Sequence, residues 1–179
     1  MGPVSIHSEH PFLQPESERS PVRRLRGRLG ATVTLWTTGE PETRSSGLTV
    51  SSMMVADGEP GHMLALLDPD SDLCEQLLST RVAVVQLLAW EHRALADVFG
   101  GVAPSPGGPF RSGSFEQTAW GPLLTGVSTW AGVRMVDGDP LEVGWSVLVQ
   151  AVVEHVGLGQ ETQPLVHRRG RYVRPVEPA

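Results

Sequence analysis

The chain has 179 residues, 40% of them hydrophobic, and a formal charge of −6 at pH 7. That length suits one domain with a sizeable core, and the negative balance argues against nucleic-acid partners. All fourteen basic residues are arginine; without lysine or asparagine there is no Schiff-base lysine, no phosphate-loop lysine and no N-glycosylation acceptor.

Cys74 is the single cysteine, which excludes an internal disulfide and a cysteine-rich metal site. No apolar run approaches the roughly 20 residues of a membrane span. The first residues lack the basic and apolar blocks of a signal peptide. A soluble, cytoplasmic protein with no membrane partner is expected.

Residues 1–19 are polar and carry Pro3, Pro11 and Pro15, which reads as an extended arm before a domain over 20–174. Ser20-Pro21 offers a helix cap and a first-turn proline for a short helix reaching about Leu29. Strands follow at Ala31–Thr37, Gly47–Val55 and His62–Leu67, with turn signals at Gly39-Glu40-Pro41 and Asp57-Gly58. A helix from about Pro69 carries Leu73, Leu77 and Leu78 at helical spacing. Arg81–Leu88 is nearly continuous in apolar residues, hence a buried strand. Trp90–Phe99 reads as a helix stopped by Gly100-Gly101. The glycine- and proline-rich segment 100–114 reads as a loop of the length used for lids. Two long strands, Gly126–Val136 and Leu141 to about Val156, flank the turn Asp137-Gly138-Asp139-Pro140. An extended piece over Pro164–Val173 precedes a tail at 175–179. Many strands, few helices and closely spaced turns predict a mainly β fold, a closed antiparallel barrel with a few flanking short helices.

The chemistry concentrates in two short stretches. Gly47-Leu48-Thr49-Val50-Ser51-Ser52 ends a strand in hydroxyls, and Leu67-Asp68-Pro69-Asp70-Ser71 leads into a helix start. Short hydroxyls and open backbone N–H groups at such ends can converge on one anion. The same residues also suit blander roles: alternating Thr and Ser on a strand edge, and Ser71 as a helix cap. Dinucleotide, phosphate-loop, zinc-protease and nucleophile-elbow motifs are absent, and the six histidines have no metal-ligand spacing.

In order and spacing these stretches resemble the flavin reductase family, the FMN-binding split barrels. Gly30–Thr38, Gly47–Ser52, Leu66–Ser71, Arg81–Leu88, Leu95–Gly101 and Pro164–Tyr172 look like that family's opening strand, flavin strand, phosphate loop, next strand, next helix and C-terminal signature. The resemblance implies a Greek-key split barrel that binds FMN or FAD and reduces it with NADH or NADPH. It further implies a homodimer and service to a flavin-dependent monooxygenase. By position, Thr49 and Val50 would meet the flavin ring through their backbone. Ser51 and Ser52 would face the ribityl-phosphate chain, Ser71 the phosphate, and Arg168 the cofactor phosphates.

His167 stands near where the resembling proteins place a histidine or tyrosine close to the ring and nicotinamide, so it is the catalytic candidate; a lone histidine in an apolar strand also serves structure. Trp120 is either a cover over the flavin or a core residue, and Trp130 and Trp145 are read as core or dimer interface. The chain departs from the family at Gly138-Asp139-Pro140, where many relatives have Gly-Asp-His: the imidazole is gone, and Pro140 removes a backbone donor. A flavin carrier of the same fold without a nicotinamide site is therefore the alternative reading. An oxidase of the pyridoxamine-phosphate type is a third, weakened by the absence of lysine.

Overall fold

The structure, a computed structural model, describes residues 20–174 apart from 42 and 161. The expected arm at 1–19 and tail at 175–179 lie outside the described residues.

Helix α1 (Pro21–Leu29) starts as the sequence predicts: the Ser20 hydroxyl accepts the Arg23 N–H at 3.3 Å, and Pro21 takes the first turn. None of its residues is buried. Strands β1 (Ala31–Thr32) and β2 (Thr34–Glu40) replace the single expected strand. The break falls at Val33, whose N–H goes to Leu165 and whose carbonyl accepts from Leu88. The expected strand over Gly47–Val55 also divides, into β3 (Arg44–Val50) and β4 (Met53–Ala56), with Ser51-Ser52 between them.

Next come β5 (His62–Leu67), α2 (Asp72–Thr80) and β6 (Val82–Leu87). The Ser71 hydroxyl accepts the Cys74 N–H, so α2 begins three residues after Pro69. A short 3₁₀ turn over Trp90–His92 leads into α3 (Arg93–Phe99), in place of one helix. The hairpin β7 (Phe115–Thr118) and β8 (Gly121–Leu124) carries no strong strand pattern in the sequence. Strand β9 (Thr129–Met135) precedes a hairpin of β10 (Leu141–Val143) and β11 (Ser146–Leu158), turned at Gly144-Trp145. Strands β12 (Val166–Arg168) and β13 (Arg171–Val173) close the described chain.

The main sheet runs β3-β2-β6-β9-β11-β5-β4, antiparallel at every pairing, with β10 also on β11. The mainly β class with a few short helices stands. The closed barrel does not appear as a closed ladder: the hydrogen-bonded path is open, with β3 at one end and β4 at the other. Those two end strands are successive in the chain, so the sheet curls until Ser51-Ser52 spans its ends.

Two apolar clusters hold this arrangement. Inside the curl, Trp36, Val50, Leu67, Val133 and Val149 pack with Leu73 and Leu77 of α2, which plugs one end. Burying each such leucine or valine contributes roughly 1.5–3 kcal/mol. On the outer side of β2 and β3, α3 packs through Leu95, Ala96 and Phe99 against Val33, Leu35, Leu88 and Leu165. Gly47 permits that packing: a Cβ there would sit 2.7 Å from the Phe99 ring. The Gln86 amide, wholly buried, accepts the Leu124 N–H and donates to Thr37 and to the Pro122 carbonyl, which ties β8 to β2 and β6.

Candidate functional site

The break between β3 and β4 opens one end of a cleft of about 750 Å³, within the roughly 300–1,000 Å³ range of ligand pockets. Its floor is the outward face of β4, β5 and β11. Side chains on a strand alternate between faces. Ala65, Leu67 and Val149 therefore point into the core, while Leu64, Leu66 and Leu148 turn to the cleft. Register aligns them: Met54 opposes Leu64, and Leu66 opposes Leu148. One wall is α1, which presents Arg23 and Arg26 one turn apart. The other is the β12–β13 hairpin, with His167, Arg171 and Tyr172.

The walls are tied to each other and to the barrel. The Arg169 N–H donates to the Gly27 carbonyl of α1 at 2.8 Å. His167 pairs with Ala31 across β1 and with Tyr172 across β13, and its ring meets the Tyr172 ring edge-on at 5.7 Å. Burial and the Asp97 carboxylate push the Tyr172 hydroxyl well above the ordinary tyrosine range. Its hydroxyl donates to the Asp97 carboxylate, which fastens the hairpin to α3.

Of the residues singled out from sequence, Ser51, Ser52 and His167 meet in this cleft. The others lie elsewhere. Val50 is a core residue. Thr49 Oγ1 donates to the Ala96 carbonyl of α3 at 2.7 Å. Ser71 Oγ donates to the Asp68 carbonyl at 2.7 Å while capping α2. Arg168 lies along Gly30 and reaches the Arg28 carbonyl, and it lines a second hollow of about 560 Å³ beside the hairpin. Ser52 itself is held by β5: its carbonyl accepts the Leu66 N–H at 2.9 Å, and its hydroxyl donates to the Leu66 carbonyl at 2.7 Å. Thr49, Ser52 and Ser71 thus each give their only hydroxyl proton to a main-chain oxygen. A serine or threonine hydroxyl carries one proton, so these three have none left for an anion.

The rim also carries Arg23 and Arg26 of α1 and Arg171 of β13; the sequence reading assigned only Arg168 to the cofactor phosphates. The available signal was their density, four in α1 and four over 168–174, with no acidic residue in residues 20–39 or 163–174. The 100–114 loop sends Gly101 and Val102 to the cleft, while Phe110 stays with Phe99 and Phe115 at 5.1 and 4.9 Å. Trp120 does not line the cleft. It lies over Gly132, where a Cβ would come within 2.2 Å of its ring, and stacks on His155 at 5.4 Å. Its indole N–H and Arg134 both bind Glu154, which they hold below the ordinary glutamate range. Trp145 is not a core residue: it is 93% exposed at the hairpin tip. Pro140 also lies off the cleft lining, in a segment that the Arg81 guanidinium binds through the Val136 and Gly138 carbonyls. Among the described residues no group of three or more metal-ligating side chains forms, and no helix is long and apolar enough to cross a membrane.

An apolar floor with hydroxyls at one end and guanidinium groups on its walls, carried on a curled antiparallel sheet, makes a cleft suited to a flat anionic ligand. The sequence pattern of the flavin reductase like domain matches residues 26–175, and the chain belongs to that family. It is 31% identical over 159 residues to an FMN reductase (NADH) RutF of Ancylobacter novellus, covering 88% of this chain and 86% of that one. It is 29% identical over 162 residues to the reductase component of an FADH(2)-dependent resorcinol hydroxylase of Rhizobium sp., covering 89% of each. Among solved structures, the Streptomyces globisporus NADH:FAD oxidoreductase SgcE6 superposes with a TM-score of 0.78 at 18% identity over 93% of both chains, a likeness of fold.

Proposed function

We propose that this protein is an NADH-dependent flavin reductase, taking FMN or FAD and supplying reduced flavin to a separate monooxygenase. The observation that carries it is the convergence of Ser51, Ser52 and His167 with three arginines around one apolar-floored cleft. The matched relatives, named as an FMN reductase (NADH) and as the reductase component of a hydroxylase, support the same reading.

The residues present fit a flavin. Met54, Leu64, Leu66 and Leu148 offer a flat apolar bed, and Ser51 and the rim arginines offer charge-assisted donors for a phosphate. Bound flavin supplies the hydride acceptor; the protein supplies binding, orientation and electrostatics. The floor would exclude water from one face of a bound ring. Val50 and Thr49, fixed by core and α3, set the backbone path to Ser51. His167, braced by Tyr172, would present an imidazole to a ring bound in the cleft. Ser71 serves the scaffold as the cap of α2, and Arg168 the outer rim. The closed split barrel belongs to this reading too, with residues 44–56 as the kinked strand that joins both ends of the sheet. Steady-state NADH oxidation that depends on added FMN tests the assignment; oxidation absent with either flavin sinks it.

Two predictions follow from individual residues. Ser51→Ala should weaken FMN by about 1.5–3 kcal/mol, the net worth of a hydrogen bond to a charged group. Ser71→Ala should cost about 1 kcal/mol of stability as a lost helix cap and leave FMN affinity unchanged. Flavin fluorescence titration beside thermal melts reads both; a large affinity loss in Ser71→Ala would return that residue to the phosphate.

The protein is proposed to act in the cytoplasm as a homodimer. Outside the cleft lining, Val22 and Leu25 of α1, Val55 of β4, and Leu141 of β10 are exposed apolar residues. Exposed apolar surface that gathers into a patch marks an interaction site. Sedimentation at micromolar concentration should give twice the 19.3 kDa chain mass. A monomer contradicts the dimer without touching the cleft.

A further inference from the structure

The side chains that line the cleft include three arginines, one histidine and a single carboxylate, that of Asp97 on α3. In a cleft that takes an anion, a carboxylate opposes the ligand's charge, so Asp97 needs a role of its own. Its contacts supply one. Its main-chain carbonyl accepts the Val102 and Ala103 N–H groups at 2.9 and 3.1 Å, which fixes the loop that leaves α3. Its carboxylate accepts the Tyr172 hydroxyl of β13. The preceding carbonyl, on Ala96, accepts from Thr49 of β3. Two successive residues of α3 therefore tie the loop, the hairpin and the strand that leads to Ser51.

The hairpin needs such a tether. Strands β12 and β13 have three residues each, and β12 gains a two-residue pairing with β1. A two-stranded ribbon of that size is marginal in isolation. Contacts of Arg169 and Arg168 with the Gly27 and Arg28 carbonyls hold its turn end. The Tyr172–Asp97 bond holds it where His167 stands. Tyr172 is the cross-strand partner of His167, and the two rings meet edge-on, 5.7 Å between centroids and 69° between planes. The Tyr172 ring also packs against the cluster that contains Leu95, Ala96 and Phe99 of α3. A hydroxyl bonded to a carboxylate is held more firmly than one bonded to a neutral group. With its ring packed and its hydroxyl anchored, Tyr172 has one orientation, and the imidazole in contact with it is held to match.

We propose that Asp97 is a positioning residue for the hydride step: through the Tyr172 hydroxyl it fixes the tilt at which His167 presents its imidazole to the cleft. The proposal rests on the flavin-reductase reading of the cleft. Asp97 acts through Tyr172, not on the reacting atoms.

The test uses three variants. Tyr172→Phe keeps the edge-on ring and loses only the hydroxyl. Asp97→Ala loses the acceptor, and Asp97→Asn keeps an oxygen that can accept from Tyr172. The first readout is magnetic resonance of flavin-free protein carrying isotope-labelled histidine, with the His167 ring signals identified by their loss in His167→Ala. Those signals should shift or broaden in Tyr172→Phe and Asp97→Ala and stay near their wild-type positions in Asp97→Asn. The second readout is bleaching of flavin-loaded protein by NADH without oxygen. It should slow about tenfold in Tyr172→Phe and Asp97→Ala and less than about threefold in Asp97→Asn, the scale of a small misplacement at a reacting centre. FMN affinity should change less than the rate does. Tyr172→Phe should slow His167→Ala no further, because the two residues act as one unit. His167 signals unmoved in Tyr172→Phe overturn the proposal, as does a Tyr172→Phe change that slows His167→Ala as much as it slows wild type. A wild type that NADH does not bleach is a different result: it overturns the reductase reading, and the proposal with it, whatever the imidazole signals do.

Discussion

Loaded with flavin and mixed with NADH without oxygen, His167→Ala should lose oxidised-flavin absorbance about 10–1000-fold more slowly than wild type. That range is the loss seen when one preorganised donor to a developing charge is removed. His167 lines the cleft with Ser51 and Ser52, and its ring is braced edge-on by Tyr172, whose hydroxyl is held on Asp97. Pro140 leaves the chain without an imidazole in the 137–140 turn, so the one on β12 has no substitute there. Flavin affinity should fall by less than the rate does, because the apolar floor and the arginine rim remain. His167→Gln, which keeps a side-chain N–H donor, should recover part of the rate. Unchanged bleaching in His167→Ala would return that residue to a structural role and leave the enzyme class intact.

Trp36→Ala should lower stability by about 3–5 kcal/mol, the range for removing a large buried aromatic. At roughly 2–4 °C per kcal/mol for a domain of this size, the melting temperature should drop by about 10 °C. Trp36 is wholly buried inside the curled sheet, and its indole N–H donates to Thr34 Oγ1 at 3.1 Å. Thr34 Oγ1 in turn donates to the Val50 carbonyl at 2.8 Å, one residue before Ser51. The indole thus both fills the core and steadies the strand end that opens the cleft. Trp36→Phe keeps most of the volume and loses the donor, so it should cost less stability while still weakening flavin binding. Thermal melts and flavin titrations on both variants separate the two roles. Equal stability of Trp36→Ala and wild type would contradict the packing account.

Much of the fold was legible because apolar period and turn chemistry agree over His62–Leu67, Arg81–Leu88 and the cap at Ser20-Pro21. The divided strands were not. Ala31–Thr37 and Gly47–Val55 read as continuous because β propensity does not record where a strand changes neighbours. At Val33 the partners are Leu88 and Leu165, and at Ser52 the partner is Leu66; both are tertiary facts. The site shows the same division. Ser51, Ser52 and His167 were found through their position in the chain, and they do meet. Which hydroxyls had a proton left to give was invisible, since it depends on the carbonyls of Leu66, Asp68 and Ala96 lying within reach. The arginines were visible as a run but not as a wall, because α1 and β12 are about 140 residues apart in sequence and come together only through the Gly27 and Arg28 carbonyls.

The most direct test of the central claim is a single anaerobic turnover. Protein saturated with FMN is mixed with excess NADH, and oxidised-flavin absorbance is followed through time. The account predicts complete bleaching by protein-bound flavin, much faster than with free FMN and NADH alone, and slowed in His167→Ala. Flavin that binds in the cleft but bleaches no faster than free FMN would contradict it, and would make this protein a flavin carrier.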